Sequence, residues 1–269
     1  MNLYTTFFML INILFFLKSK QEKIIVIMSL QPLDYLNGIL SIITVLTGIL
    51  VGLVIALKYF ELRRRVFLYV GIAVMGTYQP WWPTAVSFFT ILIFERPLTS
   101  AEYFLITITC IPFFIVLWML AINDLLVIKN RIILPLIFLI VSSVAEVYIW
   151  YYCFTEPSKI GTLSGYFDAE YALLTMLYLL FILMSIVITG IVFSIQSFKS
   201  DKPEIRLKGK LLILGFLCYL IGGFIDAGTI HLTVITIIIA RTILILSAIF
   251  FYFGFLLPDF VRKLFIKSK

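Results

Sequence analysis

Leu232–Leu257 reads LTVITIIIARTILILSAIFFYFGFLL, a run of 26 residues with one charged side chain, Arg241. A bilayer's hydrocarbon core is about 30 Å thick and needs about 20 apolar residues at ~1.5 Å each. The run is therefore long enough to span a membrane as a helix. Five more stretches meet the same requirement, at about Asn37 to Leu57, Val66 to Phe94, Tyr103 to Ile122, Ile132 to Phe154 and Tyr171 to Ile195. Leu211 to Ile225 reaches spanning length only if it continues through Asp226 to about Ile230. Strands of a membrane barrel would alternate over about 10 residues, whereas these runs are continuous and much longer. The expectation is an all-α integral membrane protein, a bundle of seven transmembrane helices.

Composition agrees. The chain is 62% hydrophobic and 13% charged, against about 25% charged in soluble domains, which excludes a disordered chain, a secreted disulfide scaffold and a soluble coiled coil. The Val66–Phe94 run spans 29 residues and contains Gln79-Pro80-Trp81-Trp82-Pro83. Each proline removes a backbone donor and crowds the turn before it, so a kink or break is expected there. Its letters match the name of a chromatin-reader domain by coincidence.

Charge sets the orientation. Lys58, Arg63, Arg64 and Arg65 follow the first span, and Lys129 and Arg131 the third. Lys199, Lys202, Arg206, Lys208 and Lys210 follow the fifth, and Arg262, Lys263, Lys267 and Lys269 form the tail. The opposite loops carry Arg96 and Lys159 beside Glu95, Glu102, Glu156, Asp168 and Glu170. The positive-inside rule puts the basic side in the cytoplasm. The first span then starts outside and the C-terminus lies inside a multi-pass cell-membrane protein. The basic bias is a topology signal and does not point to nucleic acid.

Three segments follow from this reading: residues 1–27 as an N-terminal extension outside the fold, 28–258 as the seven-helix domain, and 259–269 as a short basic cytoplasmic tail. Leu3–Leu17 is apolar over only 15 residues, and no basic residue precedes it, unlike the n-region of a signal peptide. Met28 would be a reasonable start.

Catalytic signatures are missing. The sequence has one histidine, His231, and no HExxH, GxSxG, glycine-rich nucleotide loop or CxxC. No enzyme, metal site or cofactor is expected. Cys110, Cys153 and Cys218 fall in or beside apolar runs and are expected as buried thiols.

Small and polar residues recur at helical spacing: Asn37, Ser41, Thr44, Gly48 and Gly52 in the first span, and Thr233, Ala240, Ser247 and Gly254 in the last. Such stripes let helices approach closely and hydrogen-bond across the seam. Three charges fall inside apolar runs, where an ionised group costs about 2.5–3.5 kcal/mol at the helix centre. Glu146 and Arg241 lie at matching depths, roughly 12 and 13 Å from the outer face, with Asp226 about one turn higher. A Glu146–Arg241 pair is the expectation. It has two readings: an ion pair that pins helix register, or part of an outward cavity formed by Glu146, Asp226 and Arg241 with Trp81, Trp82, Trp150 and Tyr178 as walls. The tryptophans also suit an interfacial aromatic belt.

Seven spans, short loops, the first inner loop Leu57-Lys58-Tyr59-Phe60-Glu61-Leu62-Arg63-Arg64-Arg65 and the outer Gly165-Tyr166-Phe167-Asp168 together resemble the seven-span N-terminal sensor region of certain histidine kinases. The resemblance covers about residues 36–257 and rests on layout. It implies a sensor- or receptor-like bundle that binds a small ligand or responds to membrane state. No kinase, PAS or other output domain follows Pro258, so signalling is expected to use a separate partner. That partner, or anionic lipid, would meet the basic inner loops through Arg63, Arg64, Arg65, Lys199, Lys202, Arg206, Lys208 and Lys210. The alternative is a small secondary transporter using an intramembrane carboxylate, although no internal repeat supports it.

Overall fold

The computed structural model describes residues 30–226 and 233–266. The expectations for residues 1–27 and for a continuation of the sixth span from Asp226 to Ile230 lie outside the described residues. The helices are α1 (Pro32–Leu62), α2 (Arg65–Thr77), α3 (Trp82–Phe94), α4 (Ser100–Ile108), α5 (Ile111–Leu125), α6 (Ile133–Thr155), α7 (Leu173–Phe198), α8 (Pro203–Phe224), α9 (Val234–Leu256) and α10 (Asp259–Phe265). Among the described residues, six segments are long and apolar enough to cross a membrane: α1, α4 continued by α5, α6, α7, α8 and α9. The architecture is helical and of multi-pass membrane type, and the all-α expectation meets one exception. Between α6 and α7 lies an antiparallel hairpin, β1 (Gly161–Ser164) and β2 (Asp168–Tyr171).

The Val66–Phe94 run is divided into α2 and α3, each of 13 residues, by a tight turn at Gln79–Trp81. Pro80 and Pro83 explain the division, because neither has an N–H for the carbonyl four residues earlier. The freed groups find other partners, as buried backbone must. The Tyr78 N–H turns back onto α2, and the Thr77 carbonyl accepts from the Tyr219 hydroxyl of α8 at 2.7 Å. A second break was missed in the sequence. The third run parts between α4 and α5 at Thr109–Cys110, just before Pro112. Gln79, 1% exposed, donates from its amide to the Ile106 carbonyl at 3.0 Å, so the two breaks are tied side by side.

Packing follows the small-residue stripes. Asn37, Ser41, Thr44, Gly48 and Gly52 all lie buried on α1, and Ala240, Ser247 and Gly254 on α9. The Tyr78 hydroxyl bridges to α9, 2.6 Å from the Ser247 hydroxyl and 3.2 Å from the Leu244 carbonyl. A side chain at Gly48 would enter the Tyr78 ring, so this crossing requires glycine. Helix α9 packs chiefly on α8 and α1, whereas α6 packs on α5 and α4 at the edge of the bundle. Large apolar side chains such as Val144, Val147, Leu173 and Ile188 stay exposed, which is compatible with lipid around the bundle.

Two expectations are corrected. Cys110 is exposed, and only Cys153 is fully buried, with Cys218 between them: the break before Pro112 places Cys110 on the outside of the bundle. Helix α8 begins at Pro203, well before Leu211, because Pro203 suits a first helical turn and the basic residues that follow are good helix formers.

Candidate functional site

At the end of the bundle opposite the basic loops, the α2–α3 break, α4, α5, α7, α8, α9 and the hairpin enclose a cavity of about 580 Å³. Small-molecule sites commonly measure about 300–1,000 Å³. Its body is apolar and aromatic, with Phe114, Trp118, Leu183, Ile186 and Tyr219 among the lining residues. Asp168, Glu170, Asp226 and Arg241 line it as well.

Arg241 is the deepest charge of the site, 2% exposed. Its guanidinium donates to Asp226 at 2.9 Å and to the Asn37 side-chain oxygen at 3.1 Å. Asp226 lies two residues past the end of α8 and also accepts from the Trp81 indole N–H. The α2–α3 break turns Trp81 inward to make that bond. One Arg241 nitrogen, Nε, has no hydrogen-bond partner among the described residues.

The hairpin brings a second carboxylate. Gly165 takes a φ of 74° in its turn, a left-handed conformation that suits glycine. Phe167 then plugs into the bundle, 2% exposed and 5.9 Å from the Phe88 ring. Its carbonyl accepts from the Thr84 and Tyr103 hydroxyls at 2.9 and 3.0 Å, and the Tyr166 carbonyl accepts from Ser87 at 2.8 Å. These bonds fix β2, whose first residue is Asp168. Burial pushes the Asp168 carboxyl up to about 6, and neighbouring Asp226 pushes the same way, while Arg241 and a hydrogen bond from Asn37 oppose them.

Of the seven candidate residues, Asp226, Arg241 and Trp81 come together here. The expected Glu146–Arg241 pair is not formed. Glu146 is half-buried on α6 and accepts from the Trp150 indole N–H one turn away at 2.9 Å. Matching depth is a single coordinate: α6 sits at the bundle edge, and α9 turns Arg241 toward α8 and α1. Trp150 is exposed on α6. Tyr178 is half-buried on α7, outside the cavity lining, with its hydroxyl beside Ser142 of α6. Trp82 is not part of the lining and packs behind it on Phe114, edge to face. Sequence reading missed Asp168 and Asn37 as site residues. Asp168 stood out as one of several loop acids and as the end of Gly165-Tyr166-Phe167-Asp168, and Asn37 as a member of a packing stripe.

This arrangement gives a double-mutant test. Arg241→Gln and Glu146→Gln are expected to add in their effect on melting temperature, since separated side chains couple weakly. Arg241→Gln and Asp226→Asn are expected to be strongly non-additive. Additivity in the second pair would remove the ion pair from this account.

At the basic end, Arg63, Arg64, Arg65, Lys199, Lys202, Arg206 and Lys210 are exposed. Lys208 differs, because it is half-buried and donates to the Phe255 carbonyl at 3.0 Å. Comparison with known proteins found no matching family model, no matching characterised protein and no matching solved structure.

Proposed function

We propose that the chain is a receptor- or sensor-like membrane protein with seven spans, its C-terminus in the cytoplasm and its cavity open to the outside, where it binds a small ligand. The observation that carries this reading is the cavity of about 580 Å³ with a buried Arg241–Asp226 pair at one end and an aromatic body. Buried charge in an apolar bundle is expensive unless paired, and ionisable groups there mark ligand or ion sites more often than they serve stability. The count of seven takes α2 and α3 as one broken span, and the orientation rests on the excess of lysine and arginine in alternate loops. The exposed arginines and lysines of the inner loops are the surface for a cytoplasmic partner or anionic lipid.

Gly223 lines the cavity, and a Cβ there would meet only the Leu183 methyls, at 3.7 Å. Gly223→Phe therefore adds bulk at the cavity wall from a Cβ with ordinary room. Native mass spectrometry of the full chain is expected to show a co-purifying small molecule in the wild type and none in Gly223→Phe at unchanged melting temperature. Bare protein in both samples, each at the mass of its own sequence with no adduct, would count against a ligand site.

A further inference from the structure

We infer that the ligand of this cavity is an amphipathic amine, its ammonium group held by Asp168 and its apolar body lying against the aromatic wall. The inference rests on the reading of the cavity as a ligand site and adds the chemistry of the ligand.

Charge at this end of the bundle is unbalanced. Asp226 is matched by Arg241, Glu102 by Arg96 at 2.8 Å, and Glu156 by Lys159 at 4.0 Å. Asp168 and Glu170 both line the cavity, and neither forms an ion pair among the described residues. Asp168 is the more enclosed of the two. A carboxylate in such a place is stabilised by a cation that arrives with its own apolar surface, because the complex then buries a pair in place of a lone charge. A ligand carboxylate or phosphate would face Asp168 and Glu170, and Arg241, the one basic side chain in the lining among the described residues, is already engaged by Asp226 and Asn37.

The rest of the wall fits the same ligand. Trp81 and Tyr219 both line the cavity, their rings 6.1 Å apart, and such π faces attract ammonium groups. Below them Phe114, Trp118, Leu183 and Ile186 offer an apolar slot for a hydrocarbon body.

The groups facing Asp168 predict its pH response. They are Asp34 and Asn37 on α1, Tyr103 on α4, Glu170 and Tyr171 on its own strand, Asp226 after α8 and Arg241 on α9. The carboxyl is pushed up to about 6, so it is charged above that pH and neutral below it. A primary alkylamine stays protonated throughout this range. Affinity should therefore hold at pH 7.5 and fall as pH drops through about 6.

The test uses the full-length protein in neutral detergent micelles, with radiolabelled dodecylamine as probe and dodecanol and laurate as competitors. Saturable dodecylamine binding is expected in the wild type, absent in Gly223→Phe and weakened about tenfold or more in Asp168→Asn, the loss for a charge-assisted contact. Dodecanol and laurate should compete poorly. If Asp168→Asn fails to fold, the wild-type pH profile decides, and binding unchanged from pH 7.5 to 5 would overturn the inference. Dodecanol or laurate competing as well as the amine would overturn the ammonium assignment and leave the cavity standing as a ligand site. If none of the three probes shows saturable binding sensitive to Gly223→Phe, the ligand-site reading falls and the amine assignment with it.

Discussion

Arg241→Leu is expected to destabilise the protein by about 3–5 kcal/mol, the cost of leaving a buried partner charge uncompensated. Among the described residues, Asp226 would keep only the Trp81 indole N–H as a donor, and Asn37 would lose the guanidinium that joins α1 to α9. The loss is mainly the penalty of a stranded carboxylate, so it should be largely reversible. Adding Asp226→Asn to Arg241→Leu is expected to recover more than half of it, because the neutral amide can still accept from Trp81. Equilibrium unfolding in detergent, or steric trapping in bilayers, measures both. A loss under about 0.5 kcal/mol, the scale of an ordinary surface change, would mean that water or lipid headgroups solvate this pair.

That ion pair also marks where sequence reading stopped. Arg241 was conspicuous because a charge in a 26-residue apolar run has to be accommodated. Its partner was not legible, since helical spacing gives depth along a span and nothing about which neighbour a face meets. Glu146 matched in depth and lay on the wrong helix. Asp226 was the better partner because α8 is the neighbour on which α9 packs most extensively. The same limit hid Asp168. Its position depends on Phe167 plugging between α3 and α4 through three hydroxyl-to-carbonyl bonds, from Thr84, Ser87 and Tyr103. All three lie 64 to 83 residues before the carbonyls they bond, and no local pattern joins them to the hairpin.

Breaks were legible where two prolines coincided and missed where one stood alone. Pro80 and Pro83 lie in a run too long for one straight span, so length and chemistry pointed the same way. Pro112 lies in a run of ordinary length, and its break at Thr109–Cys110 shows only once Gln79 is seen to satisfy the Ile106 carbonyl. The two breaks serve the site together. One swings Trp81 onto Asp226, and the other opens α4 from α5 beside Phe114, where the cavity lies.

The small-residue stripe of α1 was read from spacing alone, and its demands are severe enough to test. Gly52 and Gly71 face each other where α1 crosses α2. A Cβ on either would stand 2.5 Å from the other's carbonyl oxygen, and one on Gly71 would also press on the Ala56 backbone. Backbone atoms cannot rotate aside as a side chain can, so an added side chain must push the helices apart. Gly71→Leu is expected to cost at least about 3 kcal/mol, the upper range for overpacking a well-packed core, and to lower the yield of folded protein sharply. Helix propensity alone would favour leucine over glycine by about 1 kcal/mol, so the two effects have opposite signs and the measured sign identifies the winner. Gly223→Ala is the matched control, because its Cβ has ordinary room, and a neutral or slightly stabilising effect is expected. If Gly71→Leu melted at or above the wild-type temperature, α1 and α2 would not be in the close contact described here. The position of Tyr78, and through it Trp81 and the cavity, would then need another support.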